Sequence, residues 1–186
     1  MTSTCLHPGG QQMTERLLQM ANLPAGAQVL ELGCGNGQTA LYLQQKGYQV
    51  TAIDQEAEGN PNIRQGDMLH LDFPADVFDA VLAECSLSAS GDPSLALTNA
   101  YRVLRMGGHL LVSDVFFRET DGEQAEKWVQ MVQQAGFTVV AVENASKEAQ
   151  TFFLKMIWEQ GCLPDQWKRI AAGRKKVGYV LLYGRK

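Results

Sequence analysis

Two hydrophobic patterns alternate along this chain: short continuous apolar runs, and stretches in which apolar residues recur at helical spacing. The short runs predict six strands, at residues 29–32, 48–53, 78–83, 109–115, 137–142 and 177–183, and residues 62–65 fit a brief further strand, the third in chain order. The stretches with helical spacing predict helices at residues 15–21, 39–45, 94–104, 122–135, 146–160 and 165–172. Strands that alternate with helices indicate an α/β fold, a doubly wound and mostly parallel seven-stranded sheet with helices on both faces.

Local signals place several helix ends and inward faces. Thr14 is the predicted N-cap of the first helix, and Pro93 begins the helix that Gly107 and Gly108 follow. We expect Leu95 to face the core in that helix and Ile157 to lie on the apolar face of the helix over 146–160. No linker divides the chain, so we predict a single domain over 1–186. Residues 1–24 form its N-terminal lid and helix, and residues 144–173 form a helical insertion between strands six and seven.

Composition and charge narrow the classes of partner. The chain has 186 residues, of which 45% are hydrophobic, and a formal net charge of −4. The basic residues near the end, between Lys168 and Lys176, fit a solvated face better than a nucleic-acid surface. Neither a secretory signal nor an apolar run of about 20 residues is visible, so we expect a cytoplasmic protein with no membrane or nucleic-acid partner.

The cysteines do not predict a metal site. Cys5, Cys34, Cys85 and Cys162 are far apart in sequence, and no C-x-x-C pair occurs. A chain of this length needs no disulfide framework to fold. We therefore expect four reduced thiols, which in most proteins are small buried apolar residues.

The most informative stretch is VLELGCGNG, residues 29–37, in which an apolar run and an acidic residue precede three alternating glycines. Strand, glycine turn and helix form a common nucleotide-binding arrangement, although a tight connection without a ligand has the same pattern. The third glycine comes one residue too early for the dinucleotide fingerprint G-x-G-x-x-G. No G-K-[ST] follows, which excludes a P-loop NTPase. Glu31 would repel a pyrophosphate but suits a ligand that carries an ammonium or sulfonium.

Asp54 ends the second predicted strand about 20 residues after Gly33, the usual place of a carboxylate that accepts hydrogen bonds from ribose hydroxyls. This position fits NAD and an adenosine ligand equally. A purely structural role as a helix cap stays open.

Four motifs in order carry a family resemblance: VLELGCGNG, TAID, GDMLHLDFPADVFDAVLA and RVLRMGGHLLVSD. Together they resemble the motif set of class I S-adenosylmethionine-dependent methyltransferases, and they are most similar to the branch with ubiquinone/menaquinone-biosynthesis and arsenite methyltransferases. The resemblance covers about residues 25–140 and implies a Rossmann-like fold. It also implies S-adenosyl-L-methionine as the cofactor and S-adenosyl-L-homocysteine as the product.

The resemblance implies a role for each matching position. Those expected to bind the cofactor are Glu31, Gly33, Cys34 and Gly35 at the methionine part, Asp54 and Gln55 at the ribose and adenine, Asp67 and Met68 at the adenine, and Glu84 near the methyl group. Ala83, Glu84 and Cys85 end the fourth strand, where the family places the methyl group and its acceptor.

His7 and Glu84 are the candidate catalytic residues on the acceptor side, His7 as a base in a glycine-rich lid loop. A turn-stabilising histidine and a polar residue at a strand end are the structural alternatives. The predicted reaction is in-line methyl transfer to an unidentified small molecule by a monomer or homodimer. Two alternatives are a non-catalytic cofactor-binding protein of the same fold and thiolate-assisted methylation of arsenite. An NAD-linked oxidoreductase is disfavoured by the early third glycine.

Overall fold

The computed structural model describes residues 7–57, 61–117, 124–161 and 177–186. Its helices are α1 (Gln11–Ala21), α2 (Gln38–Gln45), α3 (Pro93–Val103), α4 (Gln124–Gln134) and α5 (Ser146–Gln160). Its strands are β1 (Gln28–Leu32), β2 (Gln49–Asp54), β3 (Arg64–Gln65), β4 (Phe78–Glu84), β5 (Leu104–Phe117), β6 (Thr138–Asn144) and β7 (Val177–Arg185).

The seven strands form one sheet in the order β3-β2-β1-β4-β5-β7-β6. The first five strands of this order pair in parallel, whereas β7 is antiparallel to both of its neighbours. The predicted mostly parallel seven-stranded sheet is therefore confirmed. Because β1 and β4 are adjacent and parallel, their carboxyl ends lie side by side at one edge of the sheet, where ligands bind in open α/β sheets.

An apolar core lies on each face of the sheet. One cluster joins α3 and α4 to alternate residues of the central strands, among them Val81, Val112 and Leu182. The other joins α1, α2 and α5 to the opposite face, where Leu82, Leu111 and Leu181 lie. The alternation follows from the two-residue period of a strand, which sends neighbouring side chains to opposite faces. All five helices in the described part of the chain therefore cover apolar strand surface.

The prediction for the start of the first helix was wrong. The helix begins at Gln11 rather than Glu15, and its N-cap is Gly10, with φ of 51°. A turn closed by a hydrogen bond from Gly10 N to the His7 carbonyl leads into it. Thr14 is consequently an interior residue of α1 and is buried, so it does not cap the helix.

Two predicted inward positions were also wrong. Leu95 is 39% exposed, because Asp92 caps α3 and turns Ala96, Leu97, Ala100 and Val103 toward the core instead. Ile157 is 45% exposed, since α5 contacts the sheet through Ala149 and Met156.

The predicted helix over 165–172 and the basic residues beside it lie outside the described residues, and the single-domain division stays a prediction. Within the parts of the chain that the structure describes, no helix combines the length and apolarity needed to cross a bilayer.

Candidate active site

The glycine turn between β1 and α2 is tightly packed. The N–H groups of Gly33 and Cys34 both donate to the Ile53 carbonyl, at 2.9 and 3.1 Å, which ties the turn to the end of β2. Gly33 has φ of +69°, and a Cβ there would lie 2.5 Å from Cβ of Ser86. Only glycine meets both the backbone and the steric demand at this position. Gly35, in contrast, is exposed, so a ligand can approach its backbone.

Asp54 lies against the glycine turn. Its Oδ2 accepts a hydrogen bond from Gly35 N at 2.8 Å, and its Oδ1 accepts one from Glu56 N at 2.9 Å. The Asp54 side chain is half-buried and Gln55 beside it is exposed. One carboxylate thus joins the glycine turn to the end of β2 while remaining partly open to solvent.

The predicted adenine segment is fixed by its neighbours. The Asp67 carboxylate accepts a hydrogen bond from Leu69 N at 2.8 Å. The side-chain amide of Asn99 on α3 donates to the carbonyls of Met68 and Leu69, at 3.4 and 2.9 Å. Cε of Met68 would lie 3.2 Å from a Cβ at Gly33. The structure therefore brings Asp67 and Met68 to the side of the same glycine turn.

Glu31 and Cys34 are buried beneath the turn. Glu31 pairs with Leu82 in the β1–β4 register, so its side chain leaves the same face of the sheet as Glu84. Burial, followed by the charges of Glu31 and Asp54, raises the pKa of the Cys34 thiol to about 12. Cys34 is therefore a neutral, unreactive thiol at physiological pH, and its contribution to the turn is its backbone N–H.

Glu84 is the centre of a buried polar network. Thr14 of α1 donates to both carboxylate oxygens at 3.1 Å, Thr39 of α2 donates to Oε2 at 3.3 Å, and Ser113 of β5 donates to Oε1 at 3.4 Å. Nε2 of His7 lies 3.3 Å from Oε2. The two predicted catalytic residues are therefore in contact, and both are buried.

The network extends along β7 and borders a cleft. Tyr179 is fully buried, and its hydroxyl donates to Ser113 Oγ at 2.9 Å and accepts from Cys85 Sγ at 3.4 Å. Thr14 and Thr39 also line a cleft of about 200 Å³ between α1 and α2. The residues around Glu84 thus come from both ends of the described part of the chain.

The loop after β4 joins the two halves of the site. Cys85 has φ of 54°, an uncommon backbone conformation for a residue other than glycine. Ser86 donates to the Leu32 carbonyl at 2.7 Å, and Ser88 donates to the buried carboxylate of Asp114 at 2.6 Å. The loop is thereby fixed to both neighbouring strands, to the end of β1 and to Asp114 within β5.

Four members of the Glu84 network were missed in the sequence: Thr14 in this role, Thr39, Ser113 and Tyr179. Their partners lie between 29 and 94 residues away along the chain, so no local motif contains them. The one available signal was the pair Ser113-Asp114, two polar residues inside the otherwise apolar run of the fifth strand.

Comparison with known proteins identifies the region that holds this geometry. Residues 30–112, from β1 through most of β5, match the family model described as "Methyltransferase domain". Residues 30–112, somewhat less than half of the chain, are therefore similar to a methyltransferase domain. The matched residues include the glycine turn, Asp54, the predicted adenine segment and Glu84, whereas His7, Thr14 and Tyr179 lie outside them.

Relatives and solved structures agree with this domain. The chain is 31% identical over 151 residues to "Uncharacterized methyltransferase YodH" of Bacillus subtilis, and the aligned region covers 74% of this chain and 64% of the relative. It is 32% identical over 115 residues to an arsenite methyltransferase of Aquipseudomonas alcaligenes, covering 49% of this chain and 33% of that protein. The structure of the [4+2]-cyclase SpnF has a TM-score of 0.76 at 23% identity and covers 100% of this chain and 84% of that one.

These comparisons confirm the Rossmann-like fold and, for the domain, the predicted class of S-adenosylmethionine-dependent methyltransferase with its cofactor. The chain spans roughly half to two thirds of the length of the first curated relatives it matches. The branch within the class, the activity of the whole protein and the roles of individual residues are matters of proposal.

Proposed function

We propose that the protein transfers the methyl group of S-adenosylmethionine to a small-molecule acceptor by in-line displacement. The observation that carries this proposal is the hydrogen bond between Asp54 and the glycine turn, at the edge of the sheet where Glu84 ends the neighbouring strand. An adenosine carboxylate, a close-approach backbone turn and buried acidic groups together suit a cofactor with a ribose and two cationic centres.

The cofactor site uses four groups of residues. Glu31, Gly33, Cys34 and Gly35 receive the methionine part, Asp54 and Gln55 receive the ribose and adenine edge, and Asp67 and Met68 receive the adenine. Glu84 lies near the reacting methyl group. When bound, the cofactor supplies an activated methyl group, and the chain's own residues align the acceptor and exclude water. Such alignment can contribute several kcal/mol to the rate enhancement.

His7 and Glu84 form the catalytic pair on the acceptor side. Their contact of 3.3 Å supports a shared role, in which Glu84 orients the ring of His7. An acceptor that loses a proton during methylation passes that proton to this pair, whereas an acceptor without such a proton needs only alignment. The buried position of both residues in the N-terminal and β4 segments keeps water from the reacting centre.

A small acceptor is favoured over a macromolecule. The relatives include a 27-O-demethylrifamycin SV methyltransferase of Amycolatopsis mediterranei, 31% identical over 156 residues. The net charge of −4 offers no electrostatic attraction to nucleic acid. A monomer or a homodimer is compatible with this function.

Incubation of the protein with methyl-labelled S-adenosylmethionine and a cell extract, divided into low-mass and macromolecular fractions, tests the proposal. We expect label to appear in the low-mass fraction, and we expect the loss of that label with Glu84→Gln. Label that accumulates only on protein or nucleic acid would refute the small-molecule acceptor.

A second candidate is cofactor binding without methyl transfer. Two relatives are named S-adenosyl-L-methionine-dependent Diels-Alderases, iliD of a Neonectria species and iccD of Talaromyces variabilis, at 29% and 28% identity. In that case the labelled cofactor is bound and recovered unchanged. Methylation of arsenite requires thiolates around Cys85, and Cys5 and Cys162, its possible partners, lie outside the described residues. Arsenite added as the acceptor in the same assay tests it directly.

A further inference from the structure

The Glu84 carboxylate is held by an unusually large set of hydroxyl donors. Thr14, Thr39 and Ser113 come from three different elements, and each donates to one or both carboxylate oxygens at 3.1 to 3.4 Å. A buried carboxylate with several hydrogen-bond donors has a defined position and orientation. The network therefore fixes the Glu84 oxygens, at the end of β4, relative to α1, α2 and β5.

Tyr179 sets the direction of the hydrogen bond that Ser113 donates to Glu84. Burial, followed by the nearby Cys85 and Glu84, raises the pKa of the Tyr179 hydroxyl well above its ordinary value, so this hydroxyl stays protonated and donates. It donates to Ser113 Oγ at 2.9 Å. A serine hydroxyl has a single proton, and with Tyr179 as its donor, that proton points toward Glu84. The last strand thus orients the carboxylate through Ser113.

The charge around Glu84 indicates a cationic ligand. Among the residues that the structure describes, His7 is the only basic side chain within ion-pair distance of Glu84. Taking a carboxylate out of water is costly unless positive charge compensates it. Glu31 pairs with Leu82, two residues before Glu84, so its side chain leaves the same face of the sheet as Glu84. It adds a second buried carboxylate there. Both acidic groups lie at the edge where the proposed cofactor carries its sulfonium and ammonium.

We propose that Glu84 is the counter-charge of the cofactor's sulfonium, and that Ser113 and Tyr179 are positioning residues that aim it. This inference rests on the proposed function and deepens it, because it extends the cofactor site to β7, beyond the residues that match the methyltransferase family. It also separates the two acidic groups: Glu84 recognises the sulfonium, and the glycine turn with Glu31 receives the ammonium.

The sulfonium separates S-adenosylmethionine from S-adenosylhomocysteine, which has the same ammonium, ribose and adenine but a neutral sulfur. The ratio of the two dissociation constants therefore reports the interaction with the sulfonium charge and its methyl group, the two features in which the ligands differ. We would measure both constants by calorimetry for the wild type and for Ser113→Ala, Tyr179→Phe and Glu84→Gln. Tyr183→Phe is the matched control, because Tyr183 is a buried tyrosine of the same strand whose hydroxyl contacts His109 instead.

We expect Ser113→Ala and Tyr179→Phe to weaken the binding of S-adenosylmethionine about three- to tenfold. The same substitutions should weaken the binding of S-adenosylhomocysteine less than about twofold. Glu84→Gln should show a larger change of the same kind, and Tyr183→Phe should change neither constant. Equal losses for both ligands, or an unchanged ratio in the folded Tyr179→Phe protein, would overturn the inference. A wild-type protein that binds neither ligand would instead refute the proposed function, so the two failures are distinguishable.

Discussion

Replacement of Gly33 by alanine tests the packing of the glycine turn most sharply. The new Cβ would lie 2.5 Å from Cβ of Ser86, and the residue would keep φ of +69°. A left-handed backbone costs an alanine about 1–2 kcal/mol, and overpacking at a tight contact costs about 1–3 kcal/mol more. We therefore expect Gly33→Ala to lower the free energy of unfolding by about 2–5 kcal/mol.

Gly26→Ala is the matched control for this substitution. Gly26 has φ of +76°, and a Cβ there would meet nothing within 4 Å. The control has the same backbone cost and the same loss of chain entropy in the unfolded state, but no steric conflict. Urea denaturation of both variants should show Gly33→Ala less stable than Gly26→Ala by about 1–3 kcal/mol. Equal stability of the two variants would refute the tight contact between the glycine turn and the β4–α3 loop.

Three further predictions concern single side chains. Asp54→Ala should weaken the binding of S-adenosylhomocysteine at least about tenfold in calorimetry, and the substitution of an exposed carboxylate, Asp72→Ala, is the control. Unchanged affinity would contradict a role of Asp54 in binding the ribose. Burial raises the pKa of Asp114 to about 6, so the folded protein binds a proton at this carboxyl more tightly than the unfolded chain does. The stabilisation that results is present below about pH 4 and is lost as the pH rises through about 6. The stability of the wild type relative to Asp114→Asn, from urea denaturation at several pH values, should therefore fall by roughly 3 kcal/mol over that window, and a flat difference would contradict the raised pKa. Because the pKa of Cys34 is about 12, iodoacetamide at pH 8 should modify its peptide about 1000-fold more slowly in the folded than in the unfolded protein, and mass spectrometry that finds comparable rates would contradict its burial.

The sequence predicted those features that depend on local periodicity and on a short motif. The apolar runs located the buried parallel strands β1, β4 and β5, because a parallel strand that is covered on both faces needs continuous apolar residues. The glycine turn and Asp54 were found because the turn requires glycine at fixed spacing and the carboxylate follows at the end of the next strand. The structure joins the two by a hydrogen bond from Gly35 N to Asp54 Oδ2, which the sequence did not predict.

The acceptor side could not be predicted in the same way. Thr14 looked like an N-cap because threonine is common at that position, yet its hydroxyl donates a hydrogen bond to Glu84, 70 residues away. The tertiary contact determined its role, and a local rule cannot include it. Tyr179 had no local signal at all, since a tyrosine in an apolar strand looks like any other core residue.

Titration of the wild-type chain with S-adenosylmethionine, S-adenosylhomocysteine and NAD in a calorimeter tests the assignment of the cofactor site most directly. We predict that the first two ligands bind with one site per chain and that NAD shows no heat of binding. Binding of NAD without binding of S-adenosylmethionine would contradict the cofactor site built around Gly33, Gly35 and Asp54.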